Sequence, residues 1–92
     1  MEFTEEIWLK IGYILRSKRK TKILRLLKEN TKTVTEISTE LNIGRGSMYT
    51  LINELVDIGV VACVDEKQKR NKRYAATLLG VDIITLIDNR NI

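Results

Sequence analysis

Thr35-Glu-Ile-Ser-Thr-Glu-Leu-Asn-Ile-Gly-Arg-Gly-Ser-Met-Tyr-Thr-Leu-Ile-Asn-Glu-Leu-Val-Asp-Ile-Gly-Val-Val61 decides the fold of this chain. Ile37 and Leu41 are four residues apart and share one face of a first short helix. Met48, Ile52 and Leu55, spaced four and three, share one face of a second. Leu41-Asn-Ile-Gly44 lies between them. Asn42 tolerates the left-handed backbone that ends a helix, and Ile43 then plugs the angle between the two helices. This is the pattern of a helix-turn-helix, a motif whose second helix enters a DNA major groove.

Working outward, Gly59 supplies a left-handed stop for the second helix, which is expected over Arg45 to Ile58. The period then changes. Val60-Val-Ala-Cys-Val64 and Arg73-Tyr-Ala-Ala76 read as strands, and Asp65 to Lys72 forms a polar loop between them, so the pair predicts a hairpin. Thr77 is a good N-cap for a last helix, in which Leu79, Ile83, Leu86 and Ile87 share a face. Upstream, residues 3 to 16 place Phe3, Ile7, Ile11, Ile14 and Leu15 at helical spacing, and Trp8 and Leu9 widen the stripe. Ser17 is placed to cap a second helix running to about Glu29, apolar along Ile23, Leu24, Leu26 and Leu27. Asn30 to Thr33 is a short link, and Thr33 or Thr35 caps the helix over Val34 to Leu41, with Glu36 suiting the macrodipole.

Composition narrows the class. Ninety-two residues are expected to form one domain, 1–92, with a modest core, so a partner subunit would help to bury apolar surface. At 43% hydrophobic the chain is too apolar for disorder, and no apolar run reaches the roughly 18 residues of a membrane span. The acidic start Met-Glu-Phe-Thr-Glu-Glu is unlike a secretory signal, and a single cysteine builds no disulfide framework, so the expected compartment is the cytoplasm. With no histidine, and no carboxylate pair or activated nucleophile standing out, neither an enzyme nor a metal or cofactor site is expected. Cys63 reads as an inert small strand residue, the alternative being a disulfide to a second subunit across a dimer axis.

The net charge of +4 is unevenly spread. Residues 16 to 73 hold 14 Lys/Arg against 7 Asp/Glu, whereas the two ends hold Lys10 and Arg90 against Glu2, Glu5, Glu6, Asp82 and Asp88. A basic middle suits a polyanion, and the acidic, apolar ends suit something else.

A helix-turn-helix followed by a basic hairpin resembles the winged-helix regulators of the MarR and ArsR type, over about residues 18 to 80. The run Arg73-Tyr-Ala-Ala-Thr-Leu-Leu-Gly80 is similar to that family's second wing strand leading into its last helix. The departures are Asn42, where Gly is frequent, and Gly44, where Ser often caps the recognition helix. The chain is also shorter than MarR proteins usually are, and it lacks the Cys/His clusters of ArsR-type metal sensing. The resemblance implies an α+β, mostly α, winged helix-turn-helix with a two-stranded hairpin wing.

Once Met48, Ile52 and Leu55 point inward, Arg45, Gly46, Ser47, Tyr49, Thr50 and Asn53 remain outward on the recognition helix. Arg reads guanine, Asn reads adenine, and the hydroxyls reach phosphate or base. Gly44 and Gly46 leave room for a phosphate at the helix N-terminus. Lys67, Lys69, Arg70, Lys72 and Arg73 sit on or beside the wing tip, suited to the phosphate backbone or minor groove. Lys18, Arg19, Lys20 and Lys22 oppose the dipole of their own helix and are candidate phosphate contacts. The terminal helices, 1–16 and 77–92, flank the helix-turn-helix (33–58) and wing (60–76) and are expected to form a homodimer through Phe3, Ile7, Trp8, Ile11, Ile83, Leu86 and Ile87.

Together these features lead to a sequence-specific double-stranded DNA-binding transcription regulator acting by operator occupancy. The alternative is a winged-helix protein-interaction or RNA-binding module of a larger assembly. The residues assign no small-molecule effector.

Overall fold

The computed structural model describes residues 4–89. Among these residues, five helices and one small sheet follow in the order α1 (Glu5–Leu15), α2 (Lys18–Glu29), β1 (Lys32–Thr33), α3 (Val34–Leu41), α4 (Arg45–Asp57), β2 (Val61–Cys63), β3 (Arg73–Ala76) and α5 (Leu78–Asn89). This is the winged helix-turn-helix expected from the sequence. Phe3 lies outside the described residues, as does Arg90 at the other end.

Local chemistry fixes the helix boundaries. The Thr4 hydroxyl accepts from the Ile7 amide and the Ser17 hydroxyl from the Lys20 amide, capping α1 and α2. Thr33 caps α3 through a reciprocal box: its hydroxyl accepts from the Glu36 amide at 3.1 Å, and Glu36 Oε1 accepts from the Thr33 amide at 2.9 Å. Thr35 is thereby released from capping. Asn42 stands at φ 54° and Gly59 at φ 81°, so α3 and α4 both end on a left-handed residue. In each case a 6→1 bond closes the end, Ile43 N–H to Ser38 C=O and Val60 N–H to Leu55 C=O.

The sheet differs from expectation. A third strand, β1, pairs antiparallel with β3, giving the order β1-β3-β2. The link before α3 was too short to show a strand period, but Lys32 and Thr33 are held extended opposite Tyr74 and Arg73. Val60 does not join β2, because its N–H closes α4 and its C=O accepts from the Thr77 amide.

Ile14, Ile23, Leu24, Ile37, Met48, Ile52, Leu55, Val60, Ile83 and Ile84 are fully buried in a single cluster drawn from α1 to α5 and the β2 junction. Each such aliphatic side chain contributes about 1.5–3 kcal/mol relative to exposure. Ile11, Ile83 and Ile87 belong to this core, which corrects their expected place on a dimer surface. A helical stripe alone does not say whether it faces the chain's own core or a partner. What α1 and α5 leave outside is Trp8, Leu9 and Leu78, exposed by 46%, 70% and 87%, with Ile7 and Leu86 half-buried. Among the described residues, no helix is long and apolar enough to cross a membrane.

Candidate nucleic-acid interface

α4 is anchored by Met48, Ile52 and Leu55, all at 0% exposure, and this fixes which side faces out. Arg45, Gly46, Ser47, Tyr49, Thr50 and Asn53 are all exposed, as the spacing predicts. Gly44 offers no side-chain cap, so no side chain of its own occupies the positive end of the helix. No side chain or backbone outside the helix lies within 4 Å of a Cβ placed on Gly46, so the first turn is open to close approach.

Arg45 and Tyr49 face the wing across a cleft of about 510 Å³. Its other walls are Thr33, Val34 and Thr35 at the start of α3, Lys69, Arg70, Asn71 and Lys72 in the wing, and Tyr74 of β3. Among the described residues, four cations line this cleft and no carboxylate does. Glu54, one of two acids on α4, is drawn aside by Tyr13 and Lys20, and Asp57 lies at the far end of the helix. Burial pushes the Tyr74 phenol above its usual range, and the neighbouring Cys63 and Tyr49 add to the shift.

The remaining candidate residues divide. Lys67 lies on the other flank of the hairpin loop, in a separate shallow groove with Asp65 and Glu66. Arg73 is an anchor: its Nε donates to Thr31 Oγ1 at 3.1 Å, its Nη2 to the Thr31 carbonyl at 2.9 Å, and its Nη1 lies 3.4 Å from Glu36 Oε1. The guanidinium thus ties the root of the wing to the front of α3. Lys18, Arg19 and Lys22 are exposed on α2. Lys20 is not; it is 8% exposed, with Nζ 3.0 Å from Tyr13 Oη, so it is removed from the candidate phosphate contacts. A run of four basic residues spans more than one face of a helix, and here one of them turns inward.

Sequence reasoning missed Thr35, Asn71 and Tyr74 as cleft residues. Thr33-x-x-Glu36 was the available signal for Thr35, because a capping box at Thr33 leaves Thr35 pointing elsewhere. Asn71 takes φ 54°, turning the chain back into β3, and its place in the wall follows from that turn.

Comparison with known proteins agrees with this architecture. The fold is similar to that of HlyU from Vibrio cholerae, with TM-score 0.80 and 20% identity over 98% of this chain and 97% of that one. It is also similar to the homodimeric winged helix-turn-helix DNA-binding domain of Mb0332 from Mycobacterium bovis, described as a possible ArsR-family transcriptional regulator. There the TM-score is 0.79 and the identity 17%, over 94% of this chain and 79% of that one. A MarR-family transcription regulator matches with TM-score 0.76 and 22% identity, over 95% of this chain and 57% of that one. At these identities the likeness concerns the fold. No protein of curated function matches the chain. A family model, that of the sugar-specific transcriptional regulator TrmB, matches residues 12–78, the span that holds the whole helix-turn-helix and wing. The chain belongs to the TrmB family of transcriptional regulators and is a winged-helix, DNA-binding regulator.

Proposed function

We propose that this chain binds specific sequences of double-stranded DNA as a homodimer and regulates transcription by occupying its operator. The observation that carries the proposal is the cleft in which Arg45 and Tyr49 of α4 meet Lys69, Arg70 and Lys72 of the wing, with no carboxylate in its lining among the described residues. A duplex docked there receives α4 in its major groove and the wing on its backbone. The wing cations and exposed Lys18, Arg19 and Lys22 supply sequence-independent attraction. Arg45, Ser47, Tyr49, Thr50 and Asn53 supply choice.

Dimerisation is supported by the exposed apolar residues Trp8, Leu9 and Leu78 on the two terminal helices, outside the basic region. Mb0332, a protein of this fold, is homodimeric. The interface proposed here is Ile7, Trp8 and Leu9 of α1 with Leu78 and Leu86 of α5. The chain is read as one domain with no catalytic activity, working in the cytoplasm where its DNA lies.

Selection of bound fragments from random duplex DNA, together with sedimentation of the protein, tests the reading. A two-fold symmetric motif and a dimer at micromolar concentration are expected. Retention of random duplexes without any enriched motif would overturn sequence-specific binding. Failure to retain duplex DNA at all would turn the reading toward a protein-interaction or RNA-binding module.

A further inference from the structure

We propose that Tyr13, Lys20 and Glu54 form a positioning device that couples α1 to the recognition helix and sets the spacing between half-sites. The inference rests on the homodimer proposed above. If α1 lies at the dimer axis and α4 in the groove, the distance between two recognition helices depends on how each α1 is fixed to its own α4. These three residues make that connection.

The Lys20 stem is buried, and its Nζ donates to Tyr13 Oη at 3.0 Å while standing 4.2 Å from the centre of the Tyr13 ring. The Tyr13 hydroxyl in turn donates to Glu54 Oε2 at 3.2 Å, across 41 residues of sequence. Lys20 Nζ lies 3.7 Å from the same carboxylate oxygen, closing the triangle. One residue comes from each of α1, α2 and α4. Leu9, on the exposed side of α1, stands one turn before Tyr13.

The choice of polar groups matters. Aliphatic side chains in the core, such as Ile14 and Ile52, resist separation but set no preferred direction of approach. Hydrogen bonds lose strength steeply with angle, so a relay from lysine to phenol to carboxylate fixes the rotation of one helix against another. Its expected contribution is to geometry more than to stability, as with buried polar groups that specify register.

The test uses the full chain and duplexes carrying two copies of the selected half-site at graded spacings. The unmodified protein should prefer one spacing, with a penalty of about tenfold in affinity for a one-base-pair change. Tyr13→Phe keeps the ring and removes both hydroxyl bonds. Lys20→Met keeps the stem and removes the amine. Each should remain dimeric and keep the half-site sequence, while the spacing penalty falls to about threefold or less. Glu54→Gln keeps a carbonyl acceptor for Tyr13 and should retain the narrow preference. Dimeric, DNA-binding Tyr13→Phe and Lys20→Met proteins with the original spacing preference would overturn the inference. A monomer, or no duplex binding, in the unmodified protein would instead defeat the proposed function and the coupling with it.

Discussion

Gly80 packs directly against the backbone of Val60. A Cβ on Gly80 would strike the Val60 carbonyl oxygen and come within 3.2 Å of Leu24 Cδ1. The same junction holds Thr77, whose hydroxyl donates to the Gly59 carbonyl at 2.7 Å and accepts from the Gly80 amide at 3.1 Å. The stop of α4, the root of the wing and the start of α5 therefore meet at one point. Gly80→Ala should destabilise the protein by about 1–3 kcal/mol, because the obstructing atom is backbone and the neighbouring side chain is core. Gly12→Ala, in the middle of α1, where no described atom beyond the local helix backbone lies within 4 Å of the new Cβ, should instead stabilise by about 0.5–1 kcal/mol. Urea midpoints measure both, and equal midpoints would mean that the junction yields.

Two arginines of the wing should separate in their effects. Arg70 lines the cleft, whereas Arg73 is spent on Thr31 and Glu36. Arg70→Ala should leave thermal stability unchanged, weaken specific and random duplexes alike, and lower the salt slope by about one unit. Arg73→Ala should lower the melting temperature and loosen the wing root, seen as faster amide exchange at Lys32, Thr33 and Tyr74. A change of preferred sequence in Arg70→Ala would mean that the wing reads bases.

Much of this fold is written in local patterns. The spacing of Met48, Ile52 and Leu55 sets the inward face of α4, and thereby the outward one, and Asn42 and Gly59 mark both ends of the motif by their tolerance of positive φ. β1 was hidden because two residues carry no period and their strand exists only through pairing with β3. The burial of Lys20 and the pairing of Arg73 were hidden for a related reason. Composition reveals a cation but not its partner, and those partners, Tyr13, Glu54, Thr31 and Glu36, are set by tertiary packing. Ile11, Ile83 and Ile87 were ambiguous because an apolar stripe looks the same against a core or a second subunit.

Acid should weaken the fold through two identifiable carboxylates. The Thr33 amide holds the Glu36 carboxyl below its usual range, and the Arg25 guanidinium does the same to Asp88, with Arg25 Nη2 2.7 Å from Asp88 Oδ1. A carboxyl depressed in the folded state contributes stability that is complete above its unfolded value, about pH 4 for these groups, and is lost as pH falls through the folded value. Stability should therefore decline with acidification below about pH 4.5, where the unfolded chain binds more protons. Because both groups are partly solvated, each effect is small. The double variant Glu36→Gln, Asp88→Asn should show a shallower decline in urea midpoint between about pH 5 and pH 3. An unchanged slope would place the acid sensitivity elsewhere.

Arg45 provides the sharpest test of how α4 is used. It occupies the first turn of α4, with Tyr49 one turn on, and both line the cleft facing the wing. Thr50 and Asn53 are exposed beside them, although the Thr50 hydroxyl is already directed at the Gly46 carbonyl at 3.4 Å. With Glu54 held by Tyr13 and Lys20, no acid on the helix opposes a phosphate near Arg45. An N-terminal approach of α4 to the major groove therefore brings Arg45 to a guanine edge or to the adjoining phosphate. A bidentate base contact discriminates by about 1–3 kcal/mol. Arg45→Ala should relax the preference at one position in each half-site, and Asn53→Ala should do less. In a two-fold dimer the relaxed positions should appear twice, about 10 base pairs apart or a multiple of that. Site selection repeated with each variant measures this. If Arg45→Ala lowers affinity evenly across all sequences, Arg45 holds a phosphate and Tyr49 becomes the leading reader. If Arg45→Ala, Tyr49→Ala and Thr50→Ala all keep the original motif, α4 does not read sequence.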